Sequence, residues 1–168
     1  MKPRILIAGI GNIFFGDDGF GCEVAQQLTR QSLPEQVRVI DFGIRSYDLA
    51  YVLTDGFDAV ILIDAMAHGD APGTVSVIEP DLNRLNEFES AQPDAHSLNP
   101  VSVLQLAQSF GPLPDQLLLV ACEPAVLESE DLGLSEPVRA AVPRAIEEIR
   151  TLIANLVNRE TDTCLATG

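Results

Sequence analysis

Three uninterrupted apolar segments constrain the fold of this chain more than any other feature. They occupy residues 5–9, 59–64 and 117–122 and read ILIAG, AVILID and LLLVAC. Apolar runs of this kind, without alternating polar residues, are typical of parallel strands that are covered on both faces. Segments 36–41 and 73–79, the latter rich in β-branched residues, predict two further strands.

Helical periodicity fills the segments between these strands. Asn99 followed by proline predicts a helix start, and that helix should stop near Gly111. The longest helix is expected to begin at a Ser135 cap. Alternating strands and helices predict a three-layer α/β/α sandwich around a mostly parallel, twisted sheet of about five strands. We expect one catalytic α/β domain over residues 1–157 and a loose C-terminal tail over residues 158–168.

Charge and composition exclude several classes of function. Ten basic residues against 25 acidic ones give a formal net charge of -15, which disfavours nucleic acids and anionic membrane surfaces as partners. Lys2 is the only lysine, so a Schiff base and a phosphate-loop lysine are excluded. Three cysteines without a CxxC motif suggest neither a disulfide framework nor structural zinc. No apolar run approaches about 20 residues, so we expect a soluble, cytoplasmic protein, by default a monomer.

Acidic and imidazole side chains fall where such a sheet binds its ligands. Asp17 and Asp18 follow the first strand, Asp64 ends the third, and His96 precedes the helix that begins near Asn99. The crevice beyond the carboxyl ends of parallel strands should therefore hold these groups together. Two carboxylates and an imidazole suit nickel, zinc or another borderline divalent ion. His68, four residues after Asp64, is a weaker candidate because the glycines and proline that follow it indicate a loop.

Two other classes of protein share part of this pattern. Gly9-Ile-Gly11 after a strand is typical of dinucleotide-binding folds, with Asp41 as the ribose-binding acid, but the third glycine is replaced by Phe14. Two acids after the first strand and one after the third also describe a phospho-acceptor receiver domain. That class needs a lysine at the end of the fifth strand, where this chain has Ala-Cys-Glu-Pro at 121–124.

Three motifs, taken together and in order, resemble those of one known family. They are GIGNIFFGDDGFG at residues 9–21, Asp64-Ala65, and His96-Ser-Leu. The set closely resembles the hydrogenase maturation endopeptidases, which process the large subunit of [NiFe] hydrogenases. The resemblance spans roughly residues 4–157. It implies an α/β/α enzyme that removes a C-terminal peptide from the precursor after nickel insertion.

The resemblance also implies roles for individual residues. Asp18, Asp64 and His96 would contact the metal, with Asp18 and Asp64 as the catalytic carboxylates of an aspartic-type peptidase. Members of the family often have glutamate at the position of Asp18. Residues that support this site would be Gly11, Asn12 and Asp17. The loop after the second strand, associated with substrate recognition, contributes Asp41, Gly43 and Arg45 and departs from the Asp-Gly-Gly-Thr form of other members.

Nickel would be supplied by the precursor, and zinc or cadmium could occupy the same ligands. A pocket that binds nickel still held by the precursor would accept a loaded substrate and refuse an empty one. Which group activates water does not follow from the sequence. A noncatalytic metal chaperone or sensor module that acts on the same precursor is the alternative, because a metal pocket need not cut anything.

Overall fold

The computed structural model describes residues 2–87, 99–127 and 132–165, with the backbone alone at 86–87 and 160–165. Five strands form one sheet in the order β2-β1-β3-β5-β4. Pairing is parallel except between β4 and β5, which confirms the mostly parallel five-stranded prediction. The strands are β1 (Ile5–Ile10), β2 (Val37–Gly43), β3 (Ala59–Ala65), β4 (Val75–Ile78) and β5 (Gln116–Cys122).

Helices cover both faces of the sheet. They are α1 (Phe20–Thr29), α2 (Ser46–Leu53), α3 (Pro100–Phe110) and α4 (Glu136–Leu165), with short 3₁₀ segments at Gly16–Gly19 and Leu82–Glu87. Successive side chains of a strand point to opposite faces, so Ile5 and Ile7 pack with α1 and α4, whereas Leu6 and Ala8 pack with α2 and α3. Each of the strands β1 and β3 thus contributes apolar side chains to the cores on both faces of the sheet, which gives a three-layer sandwich.

Helix boundaries follow the sequence closely, except that α4 extends beyond its predicted end. Asn99 accepts the Val101 N–H at 2.9 Å, and α3 ends before Gly111 as predicted. Ser135 precedes α4 as predicted, its carbonyl accepts the Arg139 N–H at 2.8 Å, and its hydroxyl donates to Asp17. The loose tail expected from residue 158 is wrong as far as Leu165, because the helix continues to that residue. Residues 158–165 contain neither glycine nor proline, so nothing in the local sequence stops the helix. The domain extent of 1–157 stays a prediction.

Close contact between α1 and the sheet depends on Gly21. A Cβ atom there would overlap the carbonyl oxygens of Ile10 and Ile63, at the ends of β1 and β3. Only glycine permits this approach, and it places the start of α1 directly against β1 and β3. Among the described helices, none is both long and apolar enough to cross a lipid bilayer.

Candidate active site at the carboxyl end of the sheet

Asp18 is held beside the end of β1 by the loop that precedes it. It lies in the 3₁₀ turn Gly16–Gly19, and the Asn12 N–H donates to its Oδ2 at 2.8 Å. Gly11 has a φ of 137°, and a Cβ atom there would overlap the carbonyl oxygen of Asp18. Gly11 and Asn12 therefore fix the position of Asp18. Burial raises the pKa of Asp18, which the Asn12 hydrogen bond only partly offsets.

Asp64 is the next-to-last residue of β3 and is only 2% exposed. Its Oδ1 accepts the N–H of Ala65 at 2.9 Å. Burial and, second, the charge of Asp18 raise the pKa of Asp64 well above its usual range. The charge of Asp18 thus favours the protonated form of Asp64, so one acid can be ionised while the other is protonated.

The buried thiol of Cys22 lies beside Gly11 and near the acids at this end of the sheet. Cys22 lies in the first turn of α1, and its Sγ donates to the carbonyl of Gly11 at 3.4 Å. Burial raises its pKa, and the neighbouring carboxylates of Asp41, Asp18 and Asp64 raise it further. The thiol therefore stays protonated and is a poor nucleophile. Sequence reasoning gave Cys22 no role and missed its place near the acids, for which no sequence motif gives a signal.

The end of β2 and the loop after it are shaped largely by their own hydrogen bonds. Asp41 and Gly43, expected in the loop, belong to β2 itself, and Arg45 lies in the loop. Asp41 accepts the Gly43 N–H at 3.0 Å and the Gln26 side-chain amide at 2.9 Å. Arg45 donates to the carbonyls of Phe42 and Asp41 and approaches Asp48 at 3.5 Å. The Gly11 N–H donates to the carbonyl of Gly43 at 3.0 Å, which joins this loop to the one that supports Asp18. Asp41, Gly43 and Arg45 thus lie at the site. The guanidinium of Arg45, however, already binds the carbonyls of Phe42 and Asp41 and lies close to Asp48.

Asp17 has a different role from its neighbour. It is 1% exposed, and its carboxylate accepts the N–H groups of Ala125, Val126 and Ser135 as well as the Ser135 hydroxyl, at 2.7–3.0 Å. Burial opposes its ionisation, but these hydrogen bonds prevail and lower the pKa of Asp17. It therefore remains a carboxylate that fastens the β5–α4 connection to the turn carrying Asp18.

The structure describes only one of the two histidines, His68. His96 lies outside the described residues. His68 stands with Asp70 and Glu123, and their ligand atoms lie within 4.8 Å of one another, the only such group of metal-binding side chains in the described segments. The buried carboxylate of Glu123 accepts the His68 N–H at 2.8 Å and the Gly69 N–H at 3.4 Å, and these bonds lower its pKa. Sequence reasoning missed Glu123, although its place directly after β5 was a signal.

Comparison with known proteins identifies relatives of this chain. A family profile described as hydrogenase maturation protease matches residues 22–152. Hydrogenase expression/formation protein HupM of Azotobacter chroococcum is 38% identical over 147 residues, which cover 86% of this chain and 69% of that protein.

Two solved structures support the same relationship. The hydrogenase 2 maturation peptidase of a Thaumarchaeota archaeon is 34% identical with a TM-score of 0.70, covering 90% of this chain and 98% of that one. The hydrogenase maturating endopeptidase HybD of E. coli is 27% identical with a TM-score of 0.76, covering 90% and 93%. Both have the fold described above. The chain belongs to the family of hydrogenase maturation proteases, and it is a peptidase with an α/β/α fold.

Proposed function

We propose that this protein removes the C-terminal extension of a [NiFe] hydrogenase large-subunit precursor after nickel has been inserted. Membership of the maturation proteases gives the class of reaction. One structural observation carries the rest: Asp64 is buried at the carboxyl end of β3, and the charge of Asp18 contributes to the raised pKa of its carboxyl group. A buried acid with few hydrogen bonds costs stability, and acids kept in a protein at such a cost are candidates for binding a ligand or taking part in a reaction.

Asp18 and Asp64, together with His96, are the groups that we propose to contact nickel carried by the precursor. Within the described part of the chain, each carboxylate receives a single hydrogen bond, so each retains oxygen lone pairs for a cation. A cation would also reverse the effect of burial, because its charge favours the ionised form of both acids. Two carboxylates and one imidazole suit nickel, and zinc or cadmium could take the same ligands.

Cleavage of the peptide bond adds one water molecule across it. The water oxygen joins the carbonyl carbon, the C–N bond breaks, and the leaving nitrogen takes up a proton. An ionised carboxylate can accept a proton of the attacking water and then donate that proton to the leaving nitrogen, provided that both lie within hydrogen-bond reach. Asp18 and Asp64 are the proposed acids for these roles, which would make the enzyme aspartic in type. Nickel bound to both would restrict this chemistry to loaded precursors.

The experiment is intact-mass analysis of a cognate large-subunit precursor, nickel-loaded and nickel-free, after incubation with a trace of this protein. We expect loss of a C-terminal peptide from the loaded form alone. Cleavage of both forms would contradict recognition of nickel. If a demonstrably loaded cognate precursor stayed intact, the noncatalytic metal chaperone or sensor would replace the peptidase.

A further inference from the structure

Exposed apolar side chains lie on three adjoining loops at the carboxyl end of the sheet, the end that carries the candidate active site. Ile13 and Phe14 follow β1, Ile44 follows β2, and Val126 follows β5, and we call these four residues the apolar rim. Phe14 is 64% exposed and Ile44 is 60% exposed. Isolated surface hydrophobes are ordinary, but a group of them around a site marks a surface that another molecule covers.

Backbone hydrogen bonds hold the three loops together. The Gly11 N–H donates to the Gly43 carbonyl at 3.0 Å, which joins the first two loops. The Asp17 N–H donates to the Val126 carbonyl at 3.3 Å, and the Asp17 side chain accepts the Val126 N–H at 3.0 Å. The apolar rim is therefore a fixed feature of the fold, and the turn that carries Asp18 lies between its parts. A surface fixed before binding loses little conformational freedom when a partner docks.

We propose that the apolar rim is the docking surface for the hydrogenase precursor, and that it contacts apolar side chains flanking the cleavage site whether or not nickel is present. This inference rests on the proposed function. Asp18, Asp41 and Asp64 lie at the same end of the sheet, and the whole chain carries a net charge of -15. The matching partner surface is apolar beside a positive centre, which the loaded metal or basic residues would provide.

This arrangement separates two tasks. Apolar contacts at the rim supply affinity for any precursor, and the carboxylates inside the rim distinguish the loaded form. Aromatic residues at the centre of an interface often contribute most of the affinity, and Phe14 is the aromatic member of the rim.

The test measures the dissociation constant of the nickel-free cognate precursor for wild type, Phe14→Ser, Ile44→Ser and Tyr51→Ser. Tyr51 is the matched control, because it is an aromatic residue with 62% exposure that stacks on Phe110 near the opposite end of the sheet. We expect Phe14→Ser to weaken binding at least about tenfold, and Tyr51→Ser less than about twofold. All variants are first compared by thermal unfolding.

Processing of the nickel-loaded precursor is followed in parallel. Phe14→Ser should raise the half-saturating precursor concentration by a similar factor and leave the maximal rate nearly unchanged. Equal binding by wild type and Phe14→Ser, or no binding of the nickel-free precursor by wild type, would overturn the docking surface. A wild-type dimer that Phe14→Ser dissociates would assign the rim to a second copy of the chain. Wild type that binds but never cleaves the loaded precursor would overturn the proposed function alone.

Discussion

Asp17 and Asp18 are neighbours in the sequence but have opposite environments. Among the described residues, the Asp17 carboxylate receives four hydrogen bonds, which lower its pKa in spite of burial. Asp18 receives one, from Asn12, and burial raises its pKa. Asp64 resembles Asp18, with one hydrogen bond and a pKa raised by burial and by its neighbour.

The difference separates an acid that builds the fold from acids that remain available for chemistry. Donors from the β5–α4 connection saturate Asp17, so little of its acceptor capacity is left for a ligand. Asp18 and Asp64 retain theirs in a place where burial disfavours the charge. Stability should therefore depend on Asp17, and activity on Asp18 and Asp64.

The largest expected effect is on catalysis. Replacing Asp64 with asparagine removes the ionisable group but keeps its shape, so processing of a nickel-loaded precursor should slow by about 10³-fold while the protein stays folded. The measurement is the rate of peptide release at saturating precursor. Asp115→Asn, at an exposed acid just before β5, is the matched control and should process normally. Processing by Asp64→Asn at the wild-type rate would remove this residue from the mechanism.

The next effect concerns the stability contributed by Asp17. An asparagine there would direct its amide N–H groups at backbone donors, so Asp17→Asn should lower the free energy of unfolding at pH 7 by about 3 kcal/mol. Because folding lowers the pKa of Asp17, its contribution is present above the unfolded pKa and is lost as the pH falls through the folded pKa. The deficit of the variant should shrink on acidification.

Urea unfolding at pH 7 and at successively lower pH measures both the deficit and its trend. A variant as stable as wild type at pH 7 would contradict the structural role of Asp17. A deficit in processing that remains after correction for the unfolded fraction would show that Asp17 also positions Asp18.

The strands of the sheet could be predicted well, because each strand is identified by residues within its own short segment. Apolar runs identify β1, β3 and β5 directly, and Asn99 marks the start of α3 by its own side-chain hydrogen bond. Asp18 and Asp64 could be placed at one end of the sheet because parallel strands align their carboxyl ends. Their placement in one crevice follows from topology, which the periodicity of the sequence already indicated.

What the sequence could not provide depends on contacts between distant segments. Asp17 and Asp18 look alike in a Gly-Asp-Asp-Gly motif, and only the arrival of Ser135 and the residues after β5 distinguishes them. The thiol of Cys22 among three acids and the bonds of Glu123 to the loop after β3 have the same origin. The continuation of α4 to Leu165 was missed because a polar segment without breakers is compatible with either helix or coil.

A smaller effect, with the opposite sign from that at Asp17, is expected for the stability of the metal-free protein. Folding raises the pKa of Asp64, so its ionisation destabilises the fold as the pH rises from the unfolded pKa to the folded pKa. Asp64→Asn should therefore raise the free energy of unfolding at pH 7 by roughly 0.5–2 kcal/mol. Replacement of an active-site residue commonly increases stability while it reduces activity. The gain should vanish at acid pH, where wild type is protonated in both states. Chelator-treated samples in urea test this, and a destabilised variant would contradict it.

The smallest effect is expected from lengthening Asp18. Asp18 is only partly buried and receives one hydrogen bond, so there is room for an added methylene. Asp18→Glu should therefore keep the processing rate within about fivefold of wild type, which corresponds to about 1 kcal/mol in activation free energy. The same change at Asp17 is the matched comparison: four short hydrogen bonds leave no space, and Asp17→Glu should destabilise the protein by about 1–3 kcal/mol. Processing rates and urea unfolding of the two variants, measured side by side, give the result. If Asp18→Glu were inactive and Asp17→Glu as stable as wild type, the assignment of the two acids would be reversed, because the tightly specified carboxylate would then be the one that the reaction uses.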